Sequence, residues 1–146
     1  MEKIVPITDH LFISSYRAAK KQKKMKKAGI TAVVNLMEDN RYEPPEGVDY
    51  LFKSLKDKTY IPPEDLEEIF GFIREQIKEG KVLVHCHSGL SRSAGIVIGQ
   101  VLIDHPDWTW EQARKYVREF RTVSPHPNIK RAVLDYLEQK EGKRRE

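Results

Sequence analysis

The stretch Val82-Leu-Val-His-Cys-His-Ser-Gly-Leu-Ser-Arg-Ser-Ala94 constrains the fold of this chain more than any other part of it. Lys81 to His85, with apolar residues at 82–84, reads as a compact buried strand. Cys86 to Ser91 reads as a small polar loop, and Arg92 to Asp104 as an apolar helix with little exposed surface. A buried strand that passes directly into a buried helix requires further strands beside it and further helices above it. The start of the helix leaves backbone N–H groups without partners and a partial positive charge, which together form an anion site. Small loop residues let successive amides curl toward one centre. Arg92 closes that loop with a guanidinium that can fork two hydrogen bonds onto two oxygens of one anion. Cys86, at the opening of the loop, sits where the same amides stabilise a thiolate. The segment therefore combines an anion cradle with a nucleophile.

The rest of the chain supplies the partners. Ile4–Ile7 and Leu11–Ile13 are expected as short strands around a turn, Thr31–Leu36 as a buried strand and Val48–Leu55 as another. Ser15–Lys27 is expected as one helix ending at Gly29. Leu66, Ile69, Phe70, Ile73 and Ile77 share one helical face after Pro62 and Pro63. Thr109 and Gln112 form a capping-box pattern, with Trp110, Ala113, Val117 and Phe120 expected inward. A last helix is expected over Asn128–Gln139, with Asn128 as its N-cap and a fraying tail from Glu141. The reading is an α/β fold: a central, mainly parallel (mixed) sheet of about four to five strands flanked by helices. Residues 1–140 form one domain and 141–146 a charged tail.

Composition narrows the function classes. At 146 residues, 39% hydrophobic and 33% charged, the chain reads as one globular domain. A single cysteine excludes an intrachain disulfide and a multi-cysteine metal site. His85, Cys86 and His87 are adjacent in an extended run and point to opposite faces, so no metal is expected there. No apolar run reaches 18 residues and no signal-peptide core stands at the N-terminus, so a cytoplasmic, non-membrane protein is expected. Net charge is only +4, which favours anionic partners without making a nucleic-acid binder. The eight Asn and Gln residues against 26 Lys and Arg resemble the bias of hyperthermophile proteins. The six lysines between Lys20 and Lys27 read as a solvated helix face, with an acidic partner as the rival reading.

The string from His85 to Ala94 closely resembles the signature of the dual-specificity protein phosphatases, HC-x-x-G-x-SRSA. The Ile30–Leu36 strand with Asn35, the Asp57 loop and Ser124-Pro-His-Pro-Asn128 extend that likeness over most of the chain. The resemblance implies a metal-independent, cofactor-free hydrolase of phosphotyrosine, phosphoserine and phosphothreonine in proteins, acting through a phosphocysteine. It implies Cys86 as nucleophile and Arg92 with the loop residues His87, Ser88, Gly89, Leu90 and Ser91 as the phosphate cradle. Ser93 would ease thiolate departure and His85 would orient the loop. Asp57, 29 residues before Cys86, is the expected general acid, with Asp39, Asp49 and Asp65 as competitors. Tyr42 or Arg41 is a candidate for bordering the pocket. Phosphate or another oxyanion is expected as an inhibitor in the loop, and the protein as a monomer. An RNA 5′-triphosphatase, a phosphoinositide phosphatase, a rhodanese-like sulfur transferase and a phosphate-binding module without turnover remain as alternatives. The absence of lysine from the loop departs from the phosphoinositide case.

Overall fold

The computed structural model describes residues 3–146. Its elements in chain order are β1 (Val5–Pro6), β2 (Leu11–Ser14), α1 (Tyr16–Ala19), α2 (Gln22–Ala28), β3 (Ala32–Asn35), β4 (Asp49–Phe52), α3 (Pro63–Gln76), β5 (Val82–His85), α4 (Arg92–Asp104), α5 (Trp110–Arg118) and α6 (Pro127–Glu141). The five strands form one sheet in the order β1-β2-β5-β3-β4. β1 pairs antiparallel with β2, and every other pairing is parallel.

Strand alternation decides which residues face which layer. Leu11, Ile13, Ala32, Val34, Val82 and Val84 point to the side covered by α3, α4, α5 and α6. Phe12, Val33 and Leu83 point to the opposite side, where Ala19 and Met25 cover them. Both faces are buried, which is why the central strands are apolar up to their last residues. α4 lies at the centre of the larger layer. A Cβ at its Gly99 would stand 2.7 Å from the Phe70 ring and 2.9 Å from Val133, so only glycine lets α3 and α6 approach this closely.

Four local expectations give way to the tertiary structure. The helix expected over Ser15–Lys27 is two helices, broken at Lys21, whose backbone is extended. In one continuous helix Ala19 and Met25 would stand about 120° apart at 100° per residue, and could not both point straight at the sheet. The break lets both be buried. Phe120 is 45% exposed because α5 ends at Arg118 and the helical face ends with it; its ring meets Tyr116 edge-on at 5.3 Å. Asn128 does not cap α6: the His126 ring nitrogen accepts from the Asn128 N–H instead.

The tail beyond Glu141 is docked and does not fray. Arg145 is 3% exposed and donates to the carbonyls of Leu102, His105 and Trp108, and to the Glu141 carboxylate. The C-terminal end of α4 presents carbonyls without helical partners and a partial negative charge, which a guanidinium satisfies. No helix among the described residues is long and apolar enough to cross a membrane.

Candidate active site

Register assembles the site. Ser14, His85, Asn35 and Phe52 are neighbours across the sheet and are the last residues of their parallel strands. The loops that leave them therefore open at one edge, the carboxyl end, where open α/β sheets place ligands. Cys86 leaves the central strand at the middle of that edge. Above it lies a cleft of about 250 Å³ lined by Met37, Glu38, Asp39, Arg41, Asp57, His87 and Arg92.

Cys86 is 1% exposed at the foot of this arrangement. Its Sγ accepts the Gly89 N–H at 3.2 Å and lies 3.2 Å from Ser93 Oγ. Gly89 has φ +79°, and a Cβ there would meet Ser14 O at 2.7 Å and Arg121 Nη2 at 2.6 Å. Both the backbone angle and the space demand glycine, and its amide is thereby aimed at the sulfur. Arg92 opens α4 and is anchored through Nη1 alone, to Leu55 O at 2.9 Å and Leu36 O at 3.3 Å. Its Nη2 and Nε bond no described residue, which leaves two donors for an anion. Ser91 precedes α4 but caps nothing with its side chain.

Ser91 Oγ instead donates to Asp57 Oδ1 at 2.7 Å and accepts the His126 N–H at 3.1 Å. Asp57 Oδ1 also accepts from the Lys58 N–H, and Lys58 has the left-handed φ of 67°. That angle is costly for a lysine. Asn128, whose side-chain amide donates to Lys58 O at 2.9 Å, braces the turn. The Ser124 N–H holds Leu90 O at 2.7 Å. The 124–128 segment thus ties the signature loop to the Asp57 turn, and both bonds to Asp57 fall on Oδ1.

The competing aspartates separate. Asp39 lines the same cleft. Asp49 opens β4, at the far end of the sheet from the cleft. Asp65 lies in the first turn of α3, paired with Lys53 at 3.1 Å. Of the two candidate wall residues, Arg41 lines the cleft, whereas Tyr42 turns behind the loop and meets His85. Leu90 is 39% exposed, with its side chain outside the cleft. His87 lines the cleft; its carbonyl accepts the Tyr16 N–H and its ring stacks on Tyr16 at 6.4 Å. Ser88 accepts the Leu90 N–H through its hydroxyl. Asn35, fully buried, accepts the Met37 N–H and donates to Tyr50, fixing the chain where it enters the cleft wall.

His85 is fully buried, with Nδ1 3.2 Å from Cys86 O and Nε2 2.8 Å from Tyr42 Oη. A carbonyl can only accept, so Nδ1 carries the proton and Nε2 accepts the tyrosine hydroxyl. Burial pushes His85 down to about 4, the bond to Cys86 O resisting. Burial, with Tyr50 and Tyr16 adding to it, pushes Tyr42 up, so both partners stay neutral. In the unfolded chain a histidine takes its proton near 6.5, so between about 6.5 and 4 the unfolded state binds more protons. Stability contributed by His85 is therefore complete above that window and is lost as pH falls through it, by about 3 kcal/mol. Urea unfolding at pH 7.5 and 4.2 is expected to show this loss beyond that of His85→Gln; equal acid sensitivity of the two proteins would remove His85 as its source.

Sequence reading missed Arg121. It lies 35 residues beyond Cys86 in a charged stretch, and nothing in its neighbours sets it apart. Its Nη2 donates to Ser88 O at 2.7 Å, and its buried Nε has no partner among the described residues. Burial lowers its affinity for a proton, with the Cys86 sulfur opposing, and its bond to Ser88 O with its closeness to Gly89 places a cation against the loop. No three His, Cys, Asp or Glu side chains come together as a metal-ligand set among the described residues.

The catalytic-domain model of the dual specificity phosphatases matches residues 11–139. Dual specificity protein phosphatase 22 of Xenopus tropicalis is 31% identical over 139 residues, covering 93% of this chain and 64% of that protein. Dual specificity protein phosphatase 26 of Mus musculus is 29% identical over 132 residues, covering 85% of this chain and 62% of that protein. The chain therefore spans less than two-thirds of the length of these curated relatives. A crystal structure of a human tyrosine phosphatase-like serine/threonine/tyrosine-interacting protein superposes with a TM-score of 0.85 at 26% identity, covering 96% of this chain and 99% of that one. The matched span opens at the first residue of β2 and closes two residues before the end of α6, taking in the whole layered frame except its antiparallel edge strand. On that extent of likeness, the chain belongs to the dual specificity phosphatase family.

Proposed function

We propose that residues 1–146 act as a single catalytic domain that hydrolyses phosphotyrosine, phosphoserine and phosphothreonine monoesters in proteins through a phosphocysteine. The observation that carries this reading is the Ser91 bridge, which holds the Asp57 carboxyl over the same loop that cradles Cys86. The Cys86 thiolate attacks phosphorus, the phosphorus–oxygen ester bond breaks, and Asp57 gives its proton to the departing oxygen. Arg92 and amides of the loop hold the equatorial oxygens as charge shifts among them. Water then attacks phosphorus, Asp57 takes its proton, and the phosphorus–sulfur bond breaks. The Ser93 hydroxyl donates to the sulfur as its charge returns. His85 and Arg121 position the loop from behind, and neither touches the phosphate.

Two features favour a protein monoester over the alternatives on the same fold. The loop lacks the lysines that would meet the extra phosphates of an inositol lipid. Glu38 and Asp39 line the cleft beside Arg41, where a polyphosphate would place further negative charge. A binding module without turnover would need neither a nucleophile nor an acid, whereas Cys86 and Asp57 offer a thiol and a carboxyl for those roles.

The test is phosphate release from matched phosphotyrosyl and phosphothreonyl peptides in the presence of EDTA. Release from both is expected, with the phosphotyrosyl peptide faster. Release from neither, by folded protein that binds phosphate, would overturn the reading in favour of a binding module. Release only from an RNA 5′-triphosphate or a phosphoinositide would move the substrate class.

A further inference from the structure

The charge of this molecule is concentrated on one surface. Residues 10–37 contain no acidic side chain, and Arg17 to Lys27 carry seven of the 26 basic residues and none of the 22 acidic ones. The remaining chain has 19 basic against 22 acidic side chains, a formal charge of −3, so the +4 of the whole originates in Arg17–Lys27, which runs through α1, the break after it and α2. Lys20, Lys23, Lys26 and Lys27 are exposed, and no ion pair among the described residues engages them.

α2 breaks the rules that stabilise a helix. It has seven residues, no side-chain cap and no acid in its first turn, and lysines stand at its N-cap and first turn, against the positive end of its dipole. Within α2, Lys23–Lys26, Lys23–Lys27 and Lys24–Lys27 are like charges three or four residues apart. Glutamates at half of these positions would remove the repulsion without touching the buried Met25 and Ala19 contacts. A cost of this kind that no packing explains marks a surface kept for a partner.

The position of that surface identifies the partner. α1 starts at the cleft rim, where the Tyr16 N–H holds His87 O and its ring receives Arg41 at 5.9 Å and Lys20 at 5.2 Å. From there the two helices run back along the sheet toward β3. Their combined rise is on the order of 15 Å, the reach of about five extended residues. Glu38 and Asp39 lie at the cleft itself and repel acidic residues directly beside the phosphate.

We infer that the α1–α2 surface docks an acidic stretch of the phosphoprotein substrate, about four to eight residues from the phosphorylated side chain. The inference rests on the protein phosphatase reading above and adds to it a substrate class: phosphoproteins whose phosphosite lies a short distance from a run of Asp or Glu.

Four phosphotyrosyl peptides test it, with four Glu or four Gln placed four residues before or after the phosphotyrosine. At low salt a Glu peptide is expected to give about tenfold higher kcat/KM than its Gln counterpart, carried by KM, with the advantage vanishing in 0.5 M salt. The triple variant Lys23→Glu/Lys26→Glu/Lys27→Glu is expected to erase the advantage and to leave turnover of p-nitrophenyl phosphate and of the Gln peptides unchanged. The milder Lys23→Gln/Lys26→Gln/Lys27→Gln variant is expected to reduce it and serves if the triple reversal does not fold. Equal kcat/KM for Glu and Gln peptides, or an equal loss on both in the variants, would overturn the inference. Anisotropy of a labelled, unphosphorylated Glu peptide reads the surface without turnover. Binding that the triple variant lacks supports docking even if no phosphopeptide is hydrolysed. Tighter binding of phosphatidylserine vesicles or of a short single-stranded RNA through the same three lysines would overturn it in favour of those partners.

Discussion

Cys86→Ser is expected to lower phosphate release by at least about 10⁴-fold while inorganic phosphate still binds. The serine hydroxyl can accept the Gly89 N–H and pair with Ser93 as the thiol does, so the loop keeps its shape. A hydroxyl at that depth has no base beside it to make it a nucleophile. His85 and His87 flank it in sequence, but the His85 ring is committed through Nδ1 to Cys86 O and through Nε2 to Tyr42, and the His87 ring stacks on Tyr16 at the cleft. Phosphate release from a phosphotyrosyl peptide, with titration of inorganic phosphate into the same protein, checks both halves of the prediction. A variant that retains activity within tenfold would remove Cys86 from the chemistry. A variant that loses phosphate binding as well would show that the thiol also shapes the cradle.

Asp57→Asn is expected to slow release from a phosphoseryl peptide by about 10²–10⁴-fold, the range of a lost general acid, and from p-nitrophenyl phosphate by less than about tenfold. A nitrophenolate leaves without a proton, whereas an alkoxide does not. The asparagine side chain keeps an oxygen for Ser91 Oγ and the Lys58 N–H, so the turn braced by Asn128 survives the change. The contrast between the two substrates therefore isolates proton transfer from structure. Equal losses on both would take the acid role from Asp57. Asp39, the other aspartate lining the cleft, would then be next in line.

Much of the frame is legible along the chain because it follows local periodicities. The apolar triplet 82–84, the polar loop 86–91 and the apolar helix from Arg92 appear where hydrophobic pattern and spacing place them. The capping box at Thr109 is present with both of its bonds. Failures occur where a single side chain meets a partner far along the chain. Asn128 has the residue type of a helix cap and stands at the helix start, yet its amide crosses 70 residues to Lys58 O. Arg145 sits in a charged tail, yet α4's open carbonyls bury it. Tyr42 fits a pocket wall, yet His85 takes it inward.

The sequence by itself determined the chemistry available: a cysteine and an arginine six residues apart, between a buried strand and a buried helix, with only small or neutral residues between them. Those relations are local, and backbone geometry enforces them over a few ångströms. Only the tertiary structure decided that Ser91 holds Asp57 at the loop, and that a guanidinium lies beneath it. Ser91 finds Asp57 across 34 residues and Arg121 finds Ser88 across 33. No pattern along the chain encodes such pairs, because parallel strands in register bring their ends together regardless of the length of chain between them.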